Sequence, residues 1–300
     1  MDGATELTTP RSIEALRGKT KAWRARPEML VLAALGFCAA VYIGPMLTLG
    51  AYALRDRSGF TLTHITRLLS EESYHEAFLV TFKSAAISTL ACVLLGYPVA
   101  YLMATTGKRA SAILAAAVMI PFWTSVLARS LAWVIILGRR GIVNGWLLGM
   151  GITDEPLRLI FNSFGVQVGM VHVLLPFMIL PIWSVLARLD PALVTAARSL
   201  GAGPIAAFVH VVLPLSLPGL AAGITLVFML AIGFYVTPAL LRGPQDITVV
   251  TLIEMAVRDL LDWPLGSVLS LALLSLVACA FGLGAMIAGV DRLTGGEGRK

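Results

Sequence analysis

Charged side chains are scarce in this 300-residue chain. Asp, Glu, Lys and Arg make up 13% of it, hydrophobic residues make up 58%, and the mean hydropathy is +0.86. A soluble globular domain carries about 25% charged residues. The shortage excludes a soluble enzyme and leaves an integral membrane protein. Cysteine is nearly missing: Cys38, Cys92 and Cys279 each sit inside an apolar run without metal-like spacing. They read as small buried hydrophobes, and no disulfide framework is suggested. The four histidines, His64, His75, His172 and His210, form no ligand pair at helical spacing with Cys or a carboxylate, so no metal site is expected. No Gly-x-x-x-x-Gly-Lys-Ser/Thr loop occurs, so the chain does not bind ATP by that route.

Basic residues exceed acidic ones by six, and the isoelectric point is near 9.5. The positive charge is dispersed beside apolar runs, which argues for a lipid surface and against nucleic acid. Six runs are long and apolar enough to span about 30 Å of hydrocarbon: 29–50, 77–103, 112–137, 166–187, 215–241 and 266–290. The third contains Pro121, the fourth Pro176 and Pro181, and the fifth Pro218, Gly223, Gly233 and Pro238. The expected organisation is an all-α integral membrane protein: an arm over 1–28, a six-span domain over 29–290 and a tail over 291–300. Six spans place both ends on one side. That side, with the 104–111 and 188–214 loops, holds 13 Lys and Arg against 8 in the opposite loops. The excess puts the termini in the cytoplasm. Apart from Lys83 and Arg129 the spans hold no charge, and in particular no Asp or Glu. A proton-coupled carrier usually keeps an ionisable relay at depth, so energy is expected to come from elsewhere.

The 190–217 stretch lies between two apolar runs without being one. Asp190 suits a helix cap and Pro191 the first helical position. Leu193, Ala196, Ala197 and Leu200 then share one helical face. Gly201 stands where a helix ends in a left-handed residue, and Gly203-Pro204 opens a second short helix. A three-turn helix is marginal alone in water and is best stabilised in a groove on a partner. The spacing resembles the Glu-Ala-Ala loop of ABC-importer permeases: Glu-Ala-Ala, three residues, Gly, nine residues, Ile, one residue, Leu-Pro. The matching positions are Thr195, Ala196, Ala197, Gly201, Val211, Leu213 and Pro214, with Thr in place of Glu and Val in place of Ile.

A wider resemblance covers roughly 75–290. Pro121-Phe122-Trp123-Thr124-Ser125 with Arg129 and Ala132-Trp133, then Gly138, Gly141 and Asn144, is similar to the third-span region of spermidine/putrescine-type permeases. Tyr235-Val236-Thr237-Pro238-Ala239-Leu240-Leu241 and Asp262-Trp263-Pro264 resemble the same group. This resemblance implies a non-catalytic permease subunit in a bacterial inner membrane, with no cofactor of its own. The implied partners are a second permease subunit, two cytoplasmic ATPases and an extracytoplasmic solute-binding protein. The 188–214 loop would dock on an ATPase through Asp190, Thr195, Ala196, Ala197, Gly201, Leu213 and Pro214. The implied solute is a polyamine, with an opine or another amino-acid derivative as the alternative. Candidate pathway residues are Trp123, Thr124, Arg129 and Tyr235, since helix-break carbonyls and aromatic faces both suit a cation. For Arg129 two readings stand: it shapes the pathway, or it snorkels or pairs with a carboxylate.

Overall fold

The computed structural model describes residues 27–56 and 59–294. Most of the basic arm (1–26) and the last six residues of the tail (295–300) lie outside them. Helix α1 spans Pro27–Ala53 and is followed by a small hairpin, β1 (Arg55–Asp56) and β2 (Gly59–Phe60). Then come α2 (Thr63–Ser70) and the long α3 (Glu72–Thr105). Helix α4 (Lys108–Met119) runs into a 3-10 turn, Ile120–Trp123, and on to α5 (Val126–Leu137) and α6 (Ile142–Gly149). Helix α7 is Ser163–Leu186, and a hairpin follows of α8 (Pro191–Ser199) and α9 (Pro204–Ala207). A π-helical turn, Phe208–Val212, joins α9 to α10 (Leu213–Ile232). The chain ends with α11 (Val236–Leu241), α12 (Val249–Glu254), a second π turn at Met255–Asp259, and α13 (Trp263–Thr294).

The core is a bundle of α3, α7 and α10. Lipid tails are as apolar as leucine, so helices in a membrane associate through close fit and polar contacts rather than hydrophobic segregation. Both are present. Met178 of α7 is fully buried and lies between Gly96 of α3 and Gly223 of α10. A Cβ on those glycines would approach its side chain to 3.2 and 2.8 Å. Gly219 sits against the backbone of α7, where a Cβ would come within 2.8 Å of the Pro181 carbonyl oxygen. Polar pairs also join helices, one between α3 and α10 and one between α5 and α11. Tyr97 Oη and Ser216 Oγ are 2.7 Å apart, and Ser130 Oγ and Thr237 Oγ1 are 2.9 Å apart.

Four described helical runs are long and apolar enough to cross a membrane, and a fifth crossing is formed if the bent pair Lys108–Trp123 and Val126–Gly149 counts as one. An apolar stretch of α13, Trp263–Cys279, falls short of that length. The run expected to cross at 112–137 is therefore not one rod. Its two arms meet at 98°, with a 3-10 turn through Pro121, an extended Thr124 and a Ser125 outside the helical region between them. The fifth run also differs. Pro218 and Gly223 leave α10 unbroken, and the interruption falls at 233–235, between α10 and α11. The loops expected at 51–76, 138–165 and 242–265 each fold a short helix of their own, α2, α6 and α12. Helix α1 packs along α13, and none of its most apolar window is buried. Such a surface suits lipid or another subunit.

Gly219→Ala is expected to cost about 1–3 kcal/mol, because the intruding methyl meets backbone that cannot rotate away. Gly145→Ala in α6 meets nothing within 4 Å and is expected to be neutral or slightly stabilising. Thermal unfolding of the two purified variants in detergent checks the contrast.

Candidate functional sites

The hairpin 190–207 is built by local chemistry. Asp190 caps α8, its Oδ1 accepting from the Ala192 N–H at 2.9 Å, with Pro191 in the first turn. At the far end Gly201 has φ +90°. The Gly201 N–H donates to Arg198 O and the Ala202 N–H to Ala197 O, both at 3.0 Å. This paired closure satisfies carbonyls the helix end would leave open, and it places a glycine at the left-handed residue. A Cβ at Gly201 would meet nothing within 4 Å. The demand for glycine there is conformational, not steric.

The face expected from the sequence splits in two. Val194 packs against the core and Ala197 is half-buried, so these turn inward. Leu193, Ala196 and Leu200 are exposed, Leu200 to 89%, and Ile205 of α9 joins them at 78%. The free hairpin thus presents an apolar tip. Thr195, where the motif has Glu, donates its hydroxyl to Pro191 O at 3.1 Å, and so bonds within its own helix.

Leu213 and Pro214 do not end the hairpin. They lie inside a nearly continuous helical run from Pro204 to Ile232. Pro214 has no N–H to give to the preceding turn, and the chain ahead of it widens: Leu213 N–H reaches back five residues to Phe208 O. Phe208 sits edge-on to two rings of α3, Tyr97 at 5.8 Å and Tyr101 at 5.6 Å. Edge-to-face contacts at this separation are worth about 0.5–1.5 kcal/mol beyond area burial. The hairpin is therefore tied to α3 through Phe208 and to α10 through the backbone.

The expected pathway residues separate. Thr124 and Arg129 line a cavity of about 210 Å³ with Phe122, Phe177 and Phe234. Trp123 is 89% exposed, and Tyr235 lies beside Glu254 of α12. Neither lines that cavity. The Phe122 and Phe177 rings are 4.8 Å apart. Arg129 Nε is buried without a hydrogen-bond partner, and Arg129 forms no ion pair among the described residues. One turn further along α5, Trp133 Nε1 donates to His172 Nδ1 at 3.0 Å. Indole can only donate, so this bond requires Nδ1 unprotonated and His172 neutral.

Two groups stand outside the candidate site residues, the first made of positions the resemblance already names and the second absent from the sequence reading. Gly138, Gly141 and Asn144 form one device. Asn144 is fully buried; its amide donates to Gly138 O and Leu157 O and accepts from the Leu157 N–H, at 3.0, 3.1 and 2.8 Å. A Cβ at Gly141 would come within 2.4 Å of Ile135 O. The trio folds the chain back after α5. The second group is polar and lies between spans. Gln167 of α7 accepts from Ser88 Oγ at 2.6 Å and donates to Ser84 Oγ at 2.8 Å. A lone glutamine in an apolar run was the available signal.

With this geometry in view, comparison with known proteins gives a consistent answer. Residues 93–289 match the family described as binding-protein-dependent transport system inner membrane component. The chain is 35% identical over 239 residues to the spermidine/putrescine transport system permease protein PotB of Escherichia coli K12, covering 78% of this chain and 86% of that one. It is 36% identical over 233 residues to the protein of the same name from Haemophilus influenzae, covering 76% and 81%. Among solved structures, a bacterial ABC transporter involved in import of the acidic polysaccharide alginate superposes with a TM-score of 0.74 at 15% identity, over 91% of this chain and 99% of that one. This chain belongs to the binding-protein-dependent transport system inner membrane components, the permease subunits of ABC importers.

Proposed function

We infer that this chain forms half of a membrane pathway importing a polyamine into the bacterial cytoplasm. One observation carries the solute: identity of about a third with permeases named for spermidine and putrescine, across more than three quarters of the chain. A second permease subunit completes the pathway, two ATPases supply the energy, and a binding protein delivers the solute from outside. Both termini and the 190–207 hairpin face the cytoplasm, as the Lys and Arg bias indicates. The six crossings are α1, α3, the bent α4–α5 pair, α7, α10 with α11, and α13. ATP binding closes the ATPase pair and switches the permeases between inward-open and outward-open states, a rigid-body change of the kind that couples two sites through a bistable interface.

The apolar tip of α8 and α9 supports the ATPase contact. Leu193, Leu200 and Ile205 are exposed in the isolated chain, and a short helix of this kind needs a groove to lie in. Asp190 and Gly201 fix the shape of the tip, Ala196 permits close approach, and Thr195 leaves that contact without the negative charge of the motif Glu. Leu213 and Pro214 carry its movement into the span through the widened turn.

One observation favours the alternative solute. Arg129 places a guanidinium in the aromatic cavity with no carboxylate beside it among the residues that line it, which suits an anionic or zwitterionic compound such as an opine.

Two outcomes test the reading. Gly201→Val is expected to lower ATPase capture by the permease and uptake together, at least tenfold, because a β-branched residue resists φ +90°. Gly201→Asn, which tolerates left-handed backbone, retains most of both. In proteoliposomes holding the complete transporter, labelled spermidine and putrescine are expected to accumulate only with ATP, and anionic competitors are not expected to reduce the rate. Accumulation restricted to anionic or neutral compounds would transfer the assignment to the alternative.

A further inference from the structure

A second cavity, of about 550 Å³, opens between α3, α7 and the segment before α12. That volume falls in the range of small-ligand sites, roughly 300–1,000 Å³. Its lining includes Ser84, Gln167, Gln245, Asp246, Phe164 and Lys83. Acceptors dominate. Gln167 already bridges Ser84 and Ser88, which fixes the amide in place. Asp246 accepts from Ser163 Oγ and, at 3.2 Å, from the Gly243 N–H. A carboxylate offers about four acceptor sites, so two remain. Phe164, exposed, adds a ring. Lys83, also exposed, is the one fixed cation among these lining residues and forms no ion pair among the described residues.

A protonated primary amine is the complement of this lining. It presents three N–H donors, its charge strengthens each bond to a carboxylate, and it is drawn to aromatic faces. The Arg129 cavity has the opposite character and repels it. We propose that the cleft between α3 and α7 is a subsite for a protonated amino group of the solute, held by Asp246 and Gln167, with Lys83 as a repelling charge at its edge. The proposal rests on the polyamine reading above and adds where the amine is held. A transporter must release what it takes, and a like charge beside the site keeps the complex weak. Asp246 and Lys83 then have opposite signs of effect, which no purely structural role for either would give.

The experiment uses the complete transporter in detergent, carrying Gln245→Cys in a background of Cys38→Ala, Cys92→Ala and Cys279→Ala. Maleimide modification at position 245 is followed by mass spectrometry while spermidine is titrated, and ATP-dependent spermidine uptake is measured on the same protein in proteoliposomes. Spermidine is expected to slow modification. Asp246→Asn is expected to raise the half-protecting concentration about tenfold or more, the loss of one charge-assisted bond. Lys83→Met, a change at an exposed side chain, is expected to lower it about threefold. Weaker protection in both variants marks a ligand bearing both charges and overturns the subsite, as does protection unchanged in both. Uptake without protection overturns the subsite and leaves the polyamine reading standing. Absence of spermidine uptake overturns the reading and the proposal with it.

Discussion

Inside a bilayer every peptide N–H and C=O must find its partner within the protein, and the architecture follows from how this chain meets that demand. Most of it does so by unbroken helix. Where the helix stops, local bonds take over. At the first break the Thr124 N–H and hydroxyl both return to Pro121 O, at 3.2 and 2.8 Å. At the second the Gly233 and Phe234 N–H groups reach back at 3.5 and 3.3 Å, long bonds that mark a loosened turn. Ahead of Pro214 the missing donor is absorbed by one wide turn rather than by a break. The first two interruptions supply residues to the same cavity, Phe122 and Thr124 from one and Phe234 from the other. Irregular backbone at membrane depth is tolerated where protein or a cavity surrounds it, so these breaks and the cavity are one feature.

The parts of the fold legible in the sequence were those decided within a few residues. Long apolar runs announce α1, α3, α7 and α10 whatever surrounds them. The hairpin is equally local: Asp190 caps, Pro191 starts and Gly201 ends α8 within a dozen positions. What stayed hidden depended on tertiary contact. Pro121 signals an interruption, yet nothing near it gives the angle of 98° between the arms. Ser84 and Gln167 are 83 residues apart in the chain, and Trp133 and His172 are 39 apart. Asn144 is legible as a family-like position, but its clamp on Leu157 needs the folded loop. Of the four candidate pathway residues, the cavity gathers Thr124 and Arg129 because both flank the bend. Trp123 and Tyr235, each a neighbour of a lining residue, do not line it: one step along the 3-10 turn redirects the Trp123 side chain by about 120°, and Tyr235 lies in the non-helical link between α10 and α11.

The two halves of the proposed cycle meet at Phe208. The hairpin is stiff, being closed by hydrogen bonds at both ends of α8, and it continues into α10 through backbone. Its lateral hold on α3 is the pair of edge-on contacts to Tyr97 and Tyr101. A push on the tip therefore reaches two of the three core helices at once. Those helices meet at Met178 through contacts that small residues alone permit, and the proposed cycle has them move as a body. Packed seams of this sort switch between discrete arrangements rather than deforming gradually.

The central claim is that the 190–207 hairpin is a cytoplasmic contact for an ATPase in a binding-protein-dependent importer. The most direct measurement is site-specific cross-linking in native membranes with Leu200→Cys, at the most exposed apolar residue of the tip, against a cysteine in the groove of the ATPase subunit. The account predicts a covalent adduct of the two chains whose yield changes when ATP is bound, and no modification of position 200 by an impermeant reagent added to intact cells. Modification from outside the cell, with no adduct, would contradict it.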